Sequence, residues 1–407
     1  MPAWKRNLVV IWFSNFTTLV GVACVVPFLP SIVRSTGVSD PARLRLLSGA
    51  VYAAAFLSAA LMGPVWGLLG DRHGRKLMVL RSLLAIAVFM TLQSQVNSAW
   101  AFIVLRLLHG AFSGFVAPAL TLVSASAPED RQGFVASMLQ TSLVSGGFAG
   151  PLLGGLVADR WGFHASFLVA GGMALLAFVL VWLFAIETDR PAAEPFPSSP
   201  PLSASGVSRF AADIRALLEN PGLRRLTLLV FFFQFGLATT EPLMALFIHQ
   251  LDPGAKNLIT GSVFAAAALA NLILAPLWGR RSDKTGYAPT LTLTLAGAAL
   301  FYFPQAFVTA PWQLLPLRFA LGCCLAGILP SAYALVGRMT PRSKRGGSFG
   351  LTLSAFQFGN VLGPLFGGAV AAAFGLNSVF FLTSAILVCA AWAVRRAVPD
   401  MPASHRS

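Results

Sequence analysis

Apolar residues run in blocks of about twenty or more along nearly the whole chain, separated by short polar stretches rich in Lys and Arg. A hydrocarbon core of about 30 Å takes roughly 20 residues of helix to cross. On that ruler the pattern predicts twelve spans, at about 8–30, 46–69, 77–96, 100–123, 134–157, 165–186, 225–250, 258–279, 289–308, 312–336, 347–373 and 376–394. Helices suit this setting because each satisfies its own backbone where no water is present. Pro27, Pro118, Pro151, Pro242, Pro330 and Pro364 fall inside spans and predict bends, since each removes a backbone donor. The fold class is therefore all-α integral membrane, with twelve transmembrane helices.

The polar breaks show that the chain is built twice. Between the second and third spans stands Gly63-Pro-Val-Trp-Gly-Leu-Leu-Gly-Asp71-Arg72-His-Gly74-Arg75-Lys76, which predicts a tight charged hairpin at one membrane face. Pro64, Trp66, Gly67, Asp71 and Gly74 fall on Pro276, Trp278, Gly279, Asp283 and Gly286, each 212 positions later. Trp100, Arg106, Gly110 and Pro118 fall on Trp312, Arg318, Gly322 and Pro330 at the same offset of 212. Gly146, Gly150, Pro151, Gly154 and Gly155 fall on Gly359, Gly363, Pro364, Gly367 and Gly368 at an offset of 213. Two pseudo-symmetric six-helix halves follow, 1–189 and 224–407, joined by a linker at 190–223. The first part of the linker is rich in proline and serine and reads as flexible, while Phe210 to Leu218 has the spacing of a short interfacial helix. Halves of this kind pack around an axis normal to the membrane and bind substrate between them at the midplane.

Composition narrows the class. The chain is 56% hydrophobic and 11% charged with a mean hydropathy of +0.74, which excludes an ordinary soluble protein. The net charge of +15 sits in short clusters between apolar runs rather than in a basic face, so nucleic acid is not the expected partner. With the N-terminus in the cytoplasm, only Arg34, Arg43, Arg45, Arg160 and Lys256 lie outside, Arg106 and Arg318 lie in spans, and the other 22 of 29 lie inside. That asymmetry predicts a multi-pass protein with both termini cytoplasmic. The first run lacks a small-residue cleavage site and reads as the first span rather than a signal peptide. All four cysteines lie in apolar runs, and the chain carries no metal-ligand cluster, phosphate loop or catalytic triad. Neither an enzyme nor a bound cofactor is expected.

A few polar residues stand out against that background. Arg106 lies seven residues from Ala99 and Arg318 seven from Pro311, each roughly 10 Å inside the outer surface. Glu241, nine residues from Gln250 and roughly 13 Å deep, is the one acid well inside a span. Intramembrane ionisable groups face a cavity or a partner, so these three are candidates for a substrate cavity, with snorkelling as the alternative for the arginines. His109 shares the Arg106 face, as a packed histidine or a polar partner. Asn15, Gln140, Gln234, Asn271, Gln357 and Asn360 either line a cavity or bond helices together. Gly146, Gly150 and Gly154, spaced by four, make one smooth helix face. The same pattern at Gly359, Gly363 and Pro364 suggests that the two halves pack on each other.

These motifs, taken in order, resemble the major facilitator superfamily over the full length, and best its twelve-helix drug–proton antiporters. Gly67-Leu-Leu-Gly-Asp71-Arg72-His-Gly74-Arg75-Lys76 resembles the loop signature between helices two and three. Arg106-Leu-Leu-His-Gly110 resembles the helix-four signature, and Gly146 to Gly155 the helix-five signature of exporters. Trp4-Lys-Arg-Asn-Leu8, Arg75-Lys-Leu-Met78, Arg81-Ser82 and Asn360-Val-Leu-Gly-Pro364 are most similar to its MdtG branch of multidrug exporters. The resemblance implies a proton-coupled efflux antiporter of the bacterial inner membrane, working by alternating access as a monomer. Its partners would be the lipid bilayer, protons and small amphipathic substrates, and the proton gradient would take the place of a cofactor. Gly67, Asp71, Arg72, Gly74, Arg75 and Lys76 would form a cytoplasmic gate, with Asp71 capping helix eleven. Asp283 would mark a weaker second copy, because Tyr287 and Ala288 replace Arg75 and Lys76. Glu241 with Arg106 would carry proton coupling. A metabolite or sugar symporter or facilitator of the same fold is the alternative.

Overall fold

The computed structural model describes residues 2–124, 126–128, 131–187, 220–340 and 345–397; the side chains of Pro64, Leu68, Asp71, Arg72, Arg345 and Ala397 lie outside that description. Every regular element among these residues is helical. In chain order they are α1 (Ala3–Val25), α2 (Leu29–Ser35), α3 (Pro41–His73), α4 (Arg75–Gln93), α5 (Ala99–Phe112), α6 (Val116–Ser124), α7 (Gln132–Trp161) and α8 (Phe163–Phe184). After the linker come α9 (Pro221–Thr240), α10 (Met244–Leu251), α11 (Asn257–Thr285), α12 (Tyr287–Tyr302), α13 (Leu314–Met339), α14 (Arg345–Phe374) and α15 (Ser378–Ala397). The expected interfacial helix at Phe210 to Leu218 lies outside the described residues.

Local chemistry explains the starts. Asp40 accepts from the Arg43 amide at 2.7 Å, and Pro41 occupies the first turn of α3, where its missing donor costs nothing. Asn220 caps α9 in the same way, accepting from Gly222 and Leu223 at 3.1 Å each ahead of Pro221. Proline interrupts only some of the spans. The first is interrupted by a single 3-10 turn at Val26–Phe28 around Pro27, and the seventh by another at Glu241–Leu243 around Pro242. The fourth breaks between α5 and α6, just before Pro118. By contrast α7, α13 and α14 run continuously through Pro151, Pro330 and Pro364. Proline removes one backbone bond, a loss that a membrane helix tolerates where neighbouring groups satisfy the freed carbonyl.

Eleven segments among the described residues are long and apolar enough to cross a membrane. The twelfth expected span is α14, whose 30 residues exceed the required length while Gln357, Asn360 and several glycines dilute its hydropathy. Large apolar side chains face outward throughout, as lipid permits. Trp100 and Trp312, paired by the repeat, are 64% and 66% exposed where their spans begin, as in an interfacial aromatic belt.

The described chain forms two compact units, Met1–Glu194 with Pro253–Ala265, and Pro195–Asp252 with Ala266–Ser407. The first unit packs α1 on α7 and α8, α3 on α5, and α4 on α8. The second packs α9 on α14 and α15, and α12 on α13 and α15. Three of these recur one repeat later: α1 on α7 and α8, and α4 on α8, correspond to α9 on α14 and α15, and α12 on α15. Individual bonds recur too: the Trp66 indole donates to Ala111 O and the Trp278 indole to Cys323 O, both at 2.6 Å.

Candidate functional site

The charged hairpin is a turn at Gly74, whose φ of +97° favours glycine, between α3 and α4. It leaves the first amides of α4 without intrahelical partners. Glu187 supplies them, accepting from Arg75 N at 3.2 Å and Lys76 N at 2.7 Å. The Lys76 ammonium donates to Trp182 O at 3.0 Å and Ala185 O at 2.6 Å, and Arg75 Nη1 donates to Thr121 O at 3.2 Å. Asn7 completes the clamp by bonding both backbone groups of Ile186 at 2.9 Å. Two of the residues read as gate residues thus fasten α4 to the end of α8. Gly67 lies within α3 one turn before Asp71, and the side-chain contacts proposed for Asp71 and Arg72 lie outside the described residues. Glu187 was not anticipated. It lies 111 positions from Lys76 beside the proline-rich linker, where no periodic pattern marks it.

Behind the hairpin the Arg81 guanidinium stacks 3.4 Å from the Trp66 ring centre. The second copy is wired differently. Tyr287, at the position of Arg75, donates its hydroxyl to Asp283 Oδ1 at 2.6 Å, and the Arg338 guanidinium lies 4.6 Å from the Tyr287 ring centre.

The glycine faces also have definite neighbours. A Cβ added at Gly146 or Gly150 would meet α1, at Leu19 Cβ (2.9 Å) and Ala23 Cβ (2.6 Å), and one at Gly154 would meet Cys24 O. Pro151, beside Gly150 on α7, is buried. In the second copy, Gly359 and Gly363 face α9 at Phe235 N (2.8 Å) and Phe235 O (2.5 Å). The expectation that Gly359, Gly363 and Pro364 mark packing between halves is therefore corrected for these glycines: they let α14 approach α9 inside the second unit. A spacing of four defines a smooth face but not the helix it meets. Gly155 turns elsewhere, toward Leu258 Cα at 2.7 Å in the first turn of α11. There Asp159 accepts from Asn257 N (2.7 Å), Asn257 Nδ2 (3.0 Å) and Leu258 N (2.9 Å), capping that helix. A carboxylate favours a helix N-terminus, and here it joins α7 to α11.

Of the polar residues, Gln234 donates to Asn360 at 2.7 Å and Asn360 to Gln357 at 3.3 Å, so these bond α9 to α14. Arg106 is 3% exposed; its Nε donates to Val51 O at 3.3 Å and its Nη1 to His109 Nδ1 at 3.5 Å. Because guanidinium only donates, His109 accepts there and carries its proton on Nε2. Arg318, 5% exposed, directs Nη2 at Met244 Sδ at 3.7 Å and stands 5.7 Å from the Tyr302 ring centre. Glu241 forms the break after α9, half-buried, and Tyr302 lies within electrostatic reach of both Glu241 and Arg318. The second unit thus gathers Glu241, Arg318 and Tyr302, while Arg106 pairs with His109 in the first. A cavity of about 290 Å³ at the α2–α3 and α4–α5 connections, lined by Asp40, Arg43 and Trp100 among others, includes none of these residues.

A family model described as Major Facilitator Superfamily matches residues 11–254 and 226–407. Multidrug resistance protein MdtG of Salmonella arizonae is 33% identical over 391 residues, covering 95% of this chain and 93% of its own. MdtG of Salmonella newport matches to the same extent, 33% over 391 residues. Among solved structures, a bacterial homologue of the human lysosomal transporter Spinster superposes with a TM-score of 0.81 at 15% identity, covering 98% of each chain. A D-xylose–proton symporter does so with 0.77 at 16%, also over 98% of each chain. At such identities the superpositions establish a fold, here the twelve-helix arrangement in two pseudo-symmetric halves. The family match and the extended MdtG similarity establish more: the chain belongs to the major facilitator superfamily of membrane transporters.

Proposed function

We propose that this transporter is a proton-coupled multidrug efflux antiporter of the bacterial cytoplasmic membrane, working by alternating access. The observation that carries the efflux reading is the similarity to MdtG multidrug resistance proteins across 95% of the chain. Antiport needs one group that takes up a proton and gives it back. Glu241 is suited to that task. It sits at the 3-10 break of the seventh span, beside Pro242 and within reach of Tyr302 near Arg318. A carboxyl held out of water is harder to ionise, and an approaching cation reverses that preference. A change in distance between Glu241 and a guanidinium would therefore load or release the proton. Arg106 lends the first unit a second buried cation, held with His109.

Both termini are assigned to the cytoplasm from the distribution of Lys and Arg, and the protein acts as a monomer in this reading. Asp71 keeps its assignment as a gate residue. The deciding experiment uses inverted vesicles with a fluorescent substrate and a pH-sensitive dye. Glu241→Gln should bind substrate yet release no proton on binding and build no gradient of substrate, while Glu241→Asp should retain some coupling. Proton-driven efflux at the wild-type level in Glu241→Gln would remove the assignment.

A further inference from the structure

The second unit buries a cation, Arg318, whose Nε has no hydrogen-bond partner among the described residues. An arginine offers five N–H donors in a planar fork. At Arg318 the partners include a thioether sulfur at 3.7 Å and Tyr302, through its hydroxyl and with its ring centre 5.7 Å away, while Nε is buried without a hydrogen-bond partner. The repeat-related Arg106 differs, since its Nε reaches a backbone carbonyl. An unmet buried donor on a cation costs more than one on a neutral group, so the site is disposed to accept an anionic oxygen.

A second donor stands beside it. Tyr302 is fully buried, with its hydroxyl 3.4 Å from Thr240 Oγ1. Thr240 gives its single hydroxyl proton to Leu237 O at 3.0 Å, so Tyr302 is the donor in that long bond. A better acceptor would draw the phenol away from Thr240. Met244 and the tyrosine ring itself supply apolar walls.

We propose that Arg318 and Tyr302 form a two-donor subsite for the carboxylate of an amphipathic exported compound. The guanidinium fork matches a carboxylate edge in a way that no point charge does, and the phenol fixes the orientation of the second oxygen. Glu241 lies within electrostatic reach of the same phenol, so the subsite adjoins the residue assigned to proton coupling. The inference rests on the efflux reading for its substrate, but its test is equilibrium binding and needs no proton gradient.

Three probes of one shape separate the possibilities: 2-naphthylacetate, its carboxamide, and the matching naphthylmethyl trimethylammonium ion. Isothermal titration of the full-length protein in detergent should rank the acetate about tenfold above the amide, with the ammonium ion weakest. Arg318→Met should abolish the acetate-over-amide advantage while amide binding persists, and Arg318→Lys should keep part of it. Tyr302→Phe, which retains the ring, should lower acetate affinity about threefold and leave the amide less affected. The proposal is overturned if wild type shows no saturable acetate binding or prefers the ammonium ion. An unchanged acetate-to-amide ratio in Arg318→Lys and Tyr302→Phe overturns it as well, even if Arg318→Met does not fold. Acetate binding with no proton-driven efflux would instead remove antiport and leave the subsite standing.

Discussion

Gly150→Ala tests whether close approach of α1 and α7 holds the first unit together. The added methyl would stand 2.6 Å from Ala23 Cβ and 2.7 Å from Val20 O. Carbon–carbon contacts are optimal near 3.5–4.0 Å, so the helices must part by about 1 Å. A gap of that size forfeits up to about half of the dispersion energy along the contact, and overpacking of this kind costs about 1–3 kcal/mol. A unit of this size then loses about 2–12 °C of melting temperature. Gly147, on the same helix, has nothing within 4 Å of a built Cβ, so Gly147→Ala should be neutral or slightly stabilising. Thermal unfolding in detergent, followed by tryptophan fluorescence, compares the two. Adding Ala23→Gly to Gly150→Ala removes the nearer contact and leaves Val20 O, so recovery should be partial. If Gly150→Ala melts at or above Gly147→Ala, tight α1–α7 packing is not what the glycine provides.

Asp159→Ala leaves the Asn257 and Leu258 amides uncapped at a cost of about 1 kcal/mol, so their hydrogen exchange should quicken about fivefold; unchanged protection would contradict the cap. Glu187→Gln keeps the acceptor geometry but removes the charge at the α4 N-terminus, and should lower thermal stability slightly at low salt and not at high salt. A loss independent of salt would count against the dipole account. Asp71→Asn should reduce transport more than Asp283→Asn at matched expression, and equal activities would remove the gate assignment from Asp71.

The fold was largely legible because membrane helices announce themselves by length and the repeat by register. The offsets of 212 and 213 drawn from glycine, proline and tryptophan reappear as matched bonds and matched close approaches, such as Trp66 to Ala111 and Trp278 to Cys323. What the pattern withheld was the identity of neighbours. Gly359 reads as a face, yet only the fold turns it toward α9. Asp159 and Glu187 are exposed acids at helix ends, with no periodicity to mark them, and each acts on a helix start about 100 positions away. Tyr302 was missed for a related reason. It is one aromatic among many in an apolar run, and only burial beside Arg318 gives its hydroxyl a role. Proline splits the first and seventh spans at 3-10 turns, yet the helices continue past Pro151, Pro330 and Pro364.

The two hairpins show how a duplicated element diverges while the turn itself persists, with Gly74 and Gly286 at φ of +97° and +95°. In the first, backbone amides meet Glu187 and Lys76 meets carbonyls. In the second, Tyr287 replaces Arg75, bonds Asp283 and carries Arg338 on its ring. Tyr287→Phe removes the hydroxyl but keeps the ring, so it should cost about 0.5–1 kcal/mol at this exposed site, with little dependence on salt. Tyr287→Arg restores the residue of the first copy and pairs with Asp283, but it brings two cations together where Arg338 now stacks. Its cost should be largest near 0.01 M salt and fade by 1 M, where charges more than about 3 Å apart are screened. Hydrogen exchange of residues 284–290 in both variants across that range measures the difference. A Tyr287→Arg protein as protected as wild type at low salt would mean that Arg338 does not hold this turn, and that the two copies differ for another reason.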